Sequence, residues 1–190
     1  MRMHYFGDSY DIVKQSLLHW LRSFGEWSVY PMFTESVTPS DITAFESLLS
    51  AKVVSAEVLT LDTDRSAYFS CASSCGHLFL DPDTGLRMHS TRGVRAPEYL
   101  FATELVRISE KRPGSLALVF DQSVGRGSEQ LHLEGKLREL RHHGVFGSAF
   151  VSHACFVIAS RDRGLVERAR TQIITESKLP ASRFLPVAAA

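Results

Sequence analysis

Short apolar runs alternate with longer amphipathic stretches along most of this chain, and this alternation restricts the fold more than any other feature. Five apolar runs are predicted as strands, and a stretch with helical periodicity follows each of them. The predicted strands are residues 3–6, 27–33, 52–61, 77–80 and 115–120. Strands that alternate with helices form mostly parallel sheets, because each right-handed crossover places its helix on a face of the sheet. The sequence therefore predicts an α/β fold of the Rossmann-like kind.

The last two apolar runs are connected differently. Residues 146–151 and 155–160 are separated only by Ser152-His153-Ala154. A link of this length permits an antiparallel hairpin and is too short for a parallel crossover. We expect a single three-layer α/β/α domain over residues 1–190, with a mostly parallel sheet and a C-terminal antiparallel β-hairpin. Its core spans about residues 3–177, and residues 178–190 form a tail.

The composition is that of an ordinary globular chain, and it restricts the partners. Lys+Arg and Asp+Glu are balanced at 21 each, so any contact with a nucleic acid depends on a local basic patch. No apolar run approaches the roughly 18 residues of a membrane helix, and the N-terminal run ends too early for a signal peptide. Three cysteines, an odd number, are typical of a reducing compartment. We expect a cytoplasmic protein that does not contact membranes.

The candidate catalytic aspartates follow three of the predicted strands. Asp8 follows the first strand, Asp81 and Asp83 follow the fourth, and Asp121 follows the fifth. The carboxyl ends of parallel strands meet at one edge of the sheet, where α/β proteins bind their ligands. We expect these side chains to share a crevice, with Asp81, Asp83 and Asp121 as catalytic residues. The alternative is that Asp8, Asp83 and Asp121 only cap the helix or loop that follows.

The stretch His77–Leu86 is an apolar strand that ends in Asp81-Pro82. Together with the order of the elements over residues 3–160, it resembles the class I methyltransferases. In that family the first, fourth and fifth strands are neighbours at the centre of the sheet. Its amino-methyltransferases hold the target amine with an Asp-Pro-Pro-aromatic motif after the fourth strand. The resemblance implies that Asp81 orients the acceptor.

The same resemblance implies a cofactor and a substrate class. The backbone of the turn Gly7-Asp8-Ser9 would contact S-adenosylmethionine. Glu35 would bind the ribose of the cofactor, and Asp62 or Asp64 would lie near its adenine. The chain would then be an S-adenosylmethionine-dependent methyltransferase-like enzyme that acts on a nucleic-acid or nucleotide substrate.

The aspartates also permit a different chemistry. Carboxylates in one crevice repel one another unless a cation or a proton neutralises them, and their hard oxygens suit Mg²⁺ or Mn²⁺. The alternative prediction is a divalent-metal-dependent phosphodiesterase or nuclease, similar to PIN-type nucleases, with clustered aspartates at parallel strand ends. Its metal ligands would be Asp8, Asp81, Asp83 and Asp121.

Three arginines are candidates for substrate binding. Arg87 and Arg92 follow the acidic turn directly, and Arg126 lies in a Gly-rich loop whose backbone N–H groups suit an anion. Solvated loops are the plainer interpretation of both stretches. A third hypothesis assigns no catalysis to the chain and makes the apolar tail a surface for a protein partner.

Overall fold

A seven-stranded sheet, covered on both faces by helices, forms the body of the molecule in the computed structural model, which describes residues 2–74, 76–89, 93–125 and 127–187. The strands are β1 Trp27–Tyr30, β2 Lys52–Val53, β3 His77–Leu80, β4 Gly85–Arg87, β5 Tyr99–Phe101, β6 Ala117–Asp121, β7 Phe146–Phe150, β8 Cys155–Ser160 and β9 Phe184–Leu185. The helices are α1 Ser9–Leu21, α2 Pro39–Leu49, α3 Arg65–Tyr68, α4 Ala102–Glu110, α5 Glu129–His142 and α6 Arg163–Ser177. Short 3₁₀ helices occupy Met3–Tyr5, Arg22–Phe24, Phe69–Ser74, Ala96–Glu98 and Ala181–Arg183.

The strands of the main sheet are arranged in the order β2-β1-β3-β6-β8-β7-β9. Strands β2, β1, β3 and β6 are mutually parallel. Strand β8 is antiparallel to both of its neighbours, β6 and β7, and β9 is antiparallel to β7. Five strands therefore point one way, and only β8 and β9 point the other way. The predicted α/β fold, with its mostly parallel sheet and the C-terminal β7–β8 hairpin, is confirmed.

The sheet separates two apolar cores. Alternate strand residues point to opposite faces, so Val29 and Phe79 pack with α1, α2 and α6, whereas Tyr30 and Leu80 pack with α4 and α5. None of the helices in the described part of the chain is long and apolar enough to cross a membrane. Because helices cover both faces, a ligand reaches the parallel strands at their ends.

The prediction of a first strand over residues 3–6 is wrong. Met3–Tyr5 is a 3₁₀ helix outside the sheet. Strand β1 pairs directly with β3, from Trp27 beside His77 to Tyr30 beside Leu80, so no strand fits between them. The run is short, and Tyr5 is 57% exposed, whereas a central parallel strand is buried on both faces.

Three other segments differ from the prediction in extent. The strand predicted over 52–61 is shortened to β2, because the chain leaves the sheet and inserts Leu59 into the core. Strands β4 and β5 form a second, two-stranded parallel sheet that was not predicted. The predicted tail contains β9, whose Phe184 and Leu185 are buried at the edge of β7. These two tail residues are therefore unavailable to a partner.

His77 connects three elements at the amino-terminal edge of the sheet. Its Nδ1 accepts the Leu116 N–H at 3.0 Å, and its Nε2 donates to the Phe24 carbonyl at 2.8 Å. We expect His77→Phe to lower the free energy of unfolding by about 1–3 kcal/mol, because the buried Leu116 N–H loses its acceptor. Chemical denaturation measures this loss. The same change at the exposed His19 should cost less than about 0.5 kcal/mol, and equal stabilities of the two variants would contradict the role of His77.

Candidate functional site

A cavity of about 190 Å³ lies at the carboxyl ends of β3 and β6, beside the first turn of α1. We call it the Asp81 cavity. Its charged lining residues are Asp8, Asp11, Asp81, Asp83, Lys14 and Arg2. It lies where parallel strands of an α/β sheet end, which is the usual place for a ligand in such folds.

Strand β3 delivers Asp81 to this cavity. The Asp81 N–H donates to the Tyr30 carbonyl at 2.9 Å and so continues the pairing of β3 with β1 beyond the last strand residue. Pro82 follows and has no N–H with which to extend the ladder. The Asp81 side chain is thereby held at the edge of the sheet, and Asp81 is only 1% exposed.

Local hydrogen bonds set the first turn of α1 against Asp81. Asp8 is the N-cap, and its carboxylate accepts the N–H groups of Tyr10 and Asp11 at 2.8 and 3.1 Å. Gly7 has a φ of +83° and donates its N–H to the Asp11 carboxylate at 2.9 Å. Asp11 and Lys14 are three residues apart and therefore lie on the same face of α1. The predicted capping role of Asp8 is confirmed.

Lys14 lies between two buried carboxylates. Its Nζ donates to Asp11 Oδ1 and to Asp81 Oδ2, each at 2.9 Å. All three residues are at most 5% exposed. The group holds one ammonium and two carboxyl groups, so it carries a net negative charge when all three are ionised.

Burial and charge together set the protonation of this group. Burial alone would lower the pKa of Lys14, but the Asp81 and Asp11 carboxylates outweigh it and hold that pKa above its ordinary value. Burial raises the pKa of Asp81, and the attraction of Lys14 opposes this rise only in part. Lys14 is thus held as the cation of this group, and the pKa of the Asp81 carboxyl lies above its ordinary value.

Aromatic side chains form the walls of the Asp81 cavity. Tyr5, Tyr10 and Phe120 line it, and Tyr10 lies edge-on to Phe120 with 5.8 Å between ring centroids. The His153 ring lies 5.4 Å from that of Tyr10, and the His153 carbonyl accepts from Gln122 Nε2 at 2.7 Å. His153, from the link between β7 and β8, therefore belongs to the surroundings of the cavity.

Arg2 lies across one side of the cavity. Its guanidinium contacts the carboxylates of Asp83 at 3.0 Å and Glu98 at 3.1 Å. Glu98 also accepts from Arg95 Nε at 2.7 Å and from the Thr84 hydroxyl at 3.2 Å. Asp83 is thus part of an ion-pair network at the surface side of the cavity, whereas Asp81 lies at its buried end.

The predicted catalytic residue Asp121 points away from the cavity. Its carboxylate contacts Lys136 Nζ at 2.6 Å and accepts the Leu86 N–H at 3.1 Å. Ser123 donates to the same carboxylate through its N–H and its hydroxyl. Asp121 is fully buried and connects β6 to α5 and β4. The structure brings together Asp8, Asp81 and Asp83 but places Asp121 elsewhere.

The four aspartates predicted as metal ligands do not form a metal site in this arrangement. Lys14 contacts Asp81, Lys136 contacts Asp121, and backbone N–H groups occupy Asp8. Across residues 2–74, 76–89, 93–125 and 127–187, no three His, Cys, Asp or Glu side chains are arranged to hold a metal ion. The cations beside Asp81 and Asp121 are lysines, and the cation beside Asp83 is Arg2. The phosphodiesterase alternative has no support from the geometry.

Of the residues predicted to contact S-adenosylmethionine, Asp8 lines the Asp81 cavity and the others do not. Gly7 and Ser9 are exposed at the start of α1, and Asp62 is exposed in the loop before α3. Glu35 accepts the Met3 N–H at 2.7 Å. Beyond the end of β1, Met32 and Phe33 are fully buried, so side chains fill the space next to this strand end. Binding of S-adenosylmethionine by these residues stays a prediction.

The three predicted substrate-binding arginines are only partly described. Arg87 is exposed, and its guanidinium lies 4.9 Å from the centroid of the Tyr99 ring. Arg92 and Arg126 lie outside the described residues. Phosphate binding by these arginines stays a prediction.

Two residues that line the Asp81 cavity, Asp11 and Lys14, were not predicted as site residues. A signal was present: positions 14, 17, 18 and 21 recur at helical spacing, and Lys14 interrupts an otherwise apolar stripe. A lysine at a core position must pair with a buried acid, because an isolated buried charge is too costly.

Comparison with known proteins identified no relative of this chain. No protein-family model matches the chain, and neither a curated protein nor a solved structure shows significant similarity to it. Its function therefore has to be inferred from the site.

Proposed function

We propose that the Asp81 cavity binds an amine-bearing planar group of nucleobase size, on a scaffold that resembles the class I methyltransferases. The observation that carries the proposal is a buried carboxyl group with a raised pKa in a cavity with aromatic walls. Such a carboxylate accepts a hydrogen bond from an amine, and it exchanges a proton at a higher pH than an exposed aspartate does.

The charge of the cavity favours a hydrogen-bond donor or a cation as ligand. Its lining contains four aspartates, one lysine and one arginine, which is an excess of two negative charges when all are ionised. An anionic group such as a phosphate is repelled by this excess. An exocyclic amine donates its N–H groups to carboxylates without such repulsion.

The size and the walls of the cavity favour a small planar ligand. Its volume of about 190 Å³ is below the roughly 300–1,000 Å³ of pockets for drug-sized ligands. Tyr10 and Phe120 offer ring surfaces, and stacking on an aromatic side chain contributes about 1–3 kcal/mol per base. A nucleobase combines a flat face with a polar edge, and proteins that accept a single base read that edge by hydrogen bonds.

The arrangement of the strands supports the resemblance on which the substrate class depends. Strands β1, β3 and β6 are neighbours near the middle of the sheet, and the β7–β8 hairpin follows them in the chain. If β1 takes the place of the family's first strand, β3 corresponds to the fourth and β6 to the fifth. Asp81-Pro82 then stands where the amino-methyltransferases hold their target amine.

S-adenosylmethionine has no part in the recognition proposed for the Asp81 cavity. The buried Met32 and Phe33 occupy the end of β1, where the family approaches its cofactor. The Asp81 cavity would recognise the methyl acceptor. Titration with S-adenosylmethionine in parallel is an independent test of the prediction that the chain is a methyltransferase-like enzyme.

Isothermal titration with adenosine and cytidine tests the proposal. We expect binding by the parent protein and a loss of about tenfold or more for Asp81→Asn, because a hydrogen bond to a charged group contributes about 1.5–3 kcal/mol. Asp62→Asn makes the same change at an exposed site and should bind like the parent. Tyr10→Leu keeps Asp81 and should weaken binding through lost stacking. Equal binding by the parent and by Asp81→Asn, with both folded by circular dichroism, would refute the proposal.

A further inference from the structure

A second cavity lies between α3 and α4, on the helical layer that contains α5. Its volume is about 150 Å³, and we call it the α3–α4 cavity. The polar residues that line it are Arg65, Ser66, Glu104, Arg107, Glu110 and Lys111. Neither the predicted site nor the Asp81 cavity includes any of them.

Arg65 is held rigidly at this cavity. Its Nε and Nη2 donate to the two Glu104 oxygens at 2.5 and 2.8 Å, and Nη2 also donates to the Tyr99 carbonyl at 2.8 Å. Its guanidinium lies 4.6 Å from the centroid of the Phe101 ring. The remaining nitrogen, Nη1, is buried and has no hydrogen-bond partner in the described part of the chain. A buried donor without an acceptor costs about 1–3 kcal/mol, so an acceptor oxygen at this point is favoured.

The α3–α4 cavity has an excess of positive charge. Both Glu104 oxygens are engaged by Arg65, and Glu110 lies 3.6 Å from Arg161. Arg107 and Lys111 lie one helical turn apart at the C-terminal end of α4, and neither forms an ion pair with another described residue. Three cationic side chains and two carboxylates therefore surround the same small space, an excess of one positive charge when all are ionised.

We propose that the α3–α4 cavity binds a phosphate-sized oxyanion between Arg65, Arg107 and Lys111. Guanidinium groups recognise phosphate through directed N–H donors, and lysine adds a point charge. The cavity is too small for a drug-sized ligand, whereas a phosphoryl group carries several acceptor oxygens in a small volume.

Titration of the full chain with inorganic phosphate at low ionic strength tests this proposal. We expect binding at millimolar phosphate and a shift of the Arg65 side-chain ¹⁵N–¹H signals. The variant Arg107→Gln/Lys111→Gln should weaken binding by about tenfold or more, because each charge-assisted hydrogen bond contributes about 1.5–3 kcal/mol. The control Arg138→Gln/Arg168→Gln removes the same charge from exposed positions on α5 and α6 and should bind like the parent.

Two further probes identify the source of the phosphoryl group. Ribose 5-phosphate represents a free phosphate ester, and single-stranded oligothymidylate represents a nucleic-acid backbone whose bases lack an exocyclic amine. Whichever probe binds more tightly, and loses that affinity in Arg107→Gln/Lys111→Gln, identifies the source. Unchanged phosphate affinity in that variant, or no binding and no Arg65 shift at millimolar phosphate, would overturn the proposal. Because these probes cannot donate an amine to Asp81, their failure leaves the test of the Asp81 cavity unaffected.

Discussion

Lys14→Met should lower the free energy of unfolding by about 3–5 kcal/mol at neutral pH, measured by chemical denaturation, because it leaves Asp81 and Asp11 buried without their shared cation. Methionine has a similar length and fills the same space, so the loss reports charge and not volume. The parent places Lys14 within 2.9 Å of both carboxylates. We expect no other single charge substitution around the Asp81 cavity to have a larger effect.

The pH dependence of this loss has a definite sign. A raised pKa of Asp81 means that the native state binds more protons than the unfolded chain, so stability falls as pH rises above the ordinary aspartate pKa of about 3.9. Without Lys14 the rise in pKa is larger, and the variant should regain stability as the pH is lowered. The contribution of Lys14 is fully present below its ordinary pKa of about 10.4 and is lost as pH rises through its raised pKa. The difference between parent and variant should therefore shrink in strong alkali.

A double variant is the control for the loss at Lys14. Lys14→Met/Asp81→Asn removes one of the two carboxylates together with the cation, so it should be more stable than Lys14→Met alone. A cost below about 1 kcal/mol for Lys14→Met, with no dependence on pH, would show that the buried pairs do not hold α1 against the sheet.

Gly85→Ala should destabilise the protein by about 4 kcal/mol. Gly85 has a φ of +139°, a backbone conformation that L-residues other than glycine rarely adopt. In addition, a Cβ at this position would overlap the Asp121 carboxylate and the Gln122 backbone N. Backbone strain of this kind costs about 1–3 kcal/mol, and overpacking costs a similar amount. The overlap falls on Asp121, so the bond between Asp121 and Lys136 should weaken as well.

Gly135→Ala is the matched control for Gly85→Ala. Gly135 lies in the interior of α5, and nothing lies within 4 Å of an added Cβ. Alanine is favoured over glycine in a helix by about 1 kcal/mol, so this variant should be slightly more stable than the parent. Thermal unfolding of the two variants side by side would separate them clearly, and similar stabilities would contradict the close approach of Gly85 to Asp121.

The fold was largely predictable because its strands are buried and its connections are short. The apolar runs at β3 and β6 are buried on both faces, and such runs are recognisable without any periodic pattern. The three-residue link around His153 permitted only the hairpin that is observed. The prediction failed at residues 3–6, where four residues of ordinary apolar character are equally compatible with a 3₁₀ turn and a strand. The 3₁₀ conformation of Met3–Tyr5 and the direct pairing of β1 with β3 decide against the strand.

The location of the site was predictable from the sequence, but the residues that form it were only partly predictable. Asp8, Asp81 and Asp83 share a cavity because the N-terminus of α1 approaches the end of β3. Asp121 is the last residue of the neighbouring strand β6, yet its carboxylate is engaged by Lys136 and Leu86. The face to which the first residue after a strand points is set by tertiary contacts, which a sequence pattern does not contain. Lys14 was missed for the same reason, since its partner Asp81 is 67 residues away in the chain.

Binding of cytidine and uridine to the parent and to Asp81→Asn is the most direct test of the function proposed for the Asp81 cavity. The two nucleosides share the pyrimidine skeleton and the ribose. Cytosine carries an exocyclic amine and an unprotonated N3, where uracil has a carbonyl and an N3–H. We predict that the parent binds cytidine more tightly than uridine by about tenfold, and that Asp81→Asn removes most of this difference. An equal preference for cytidine in both proteins, or no preference in the parent, would contradict recognition of an amine by Asp81.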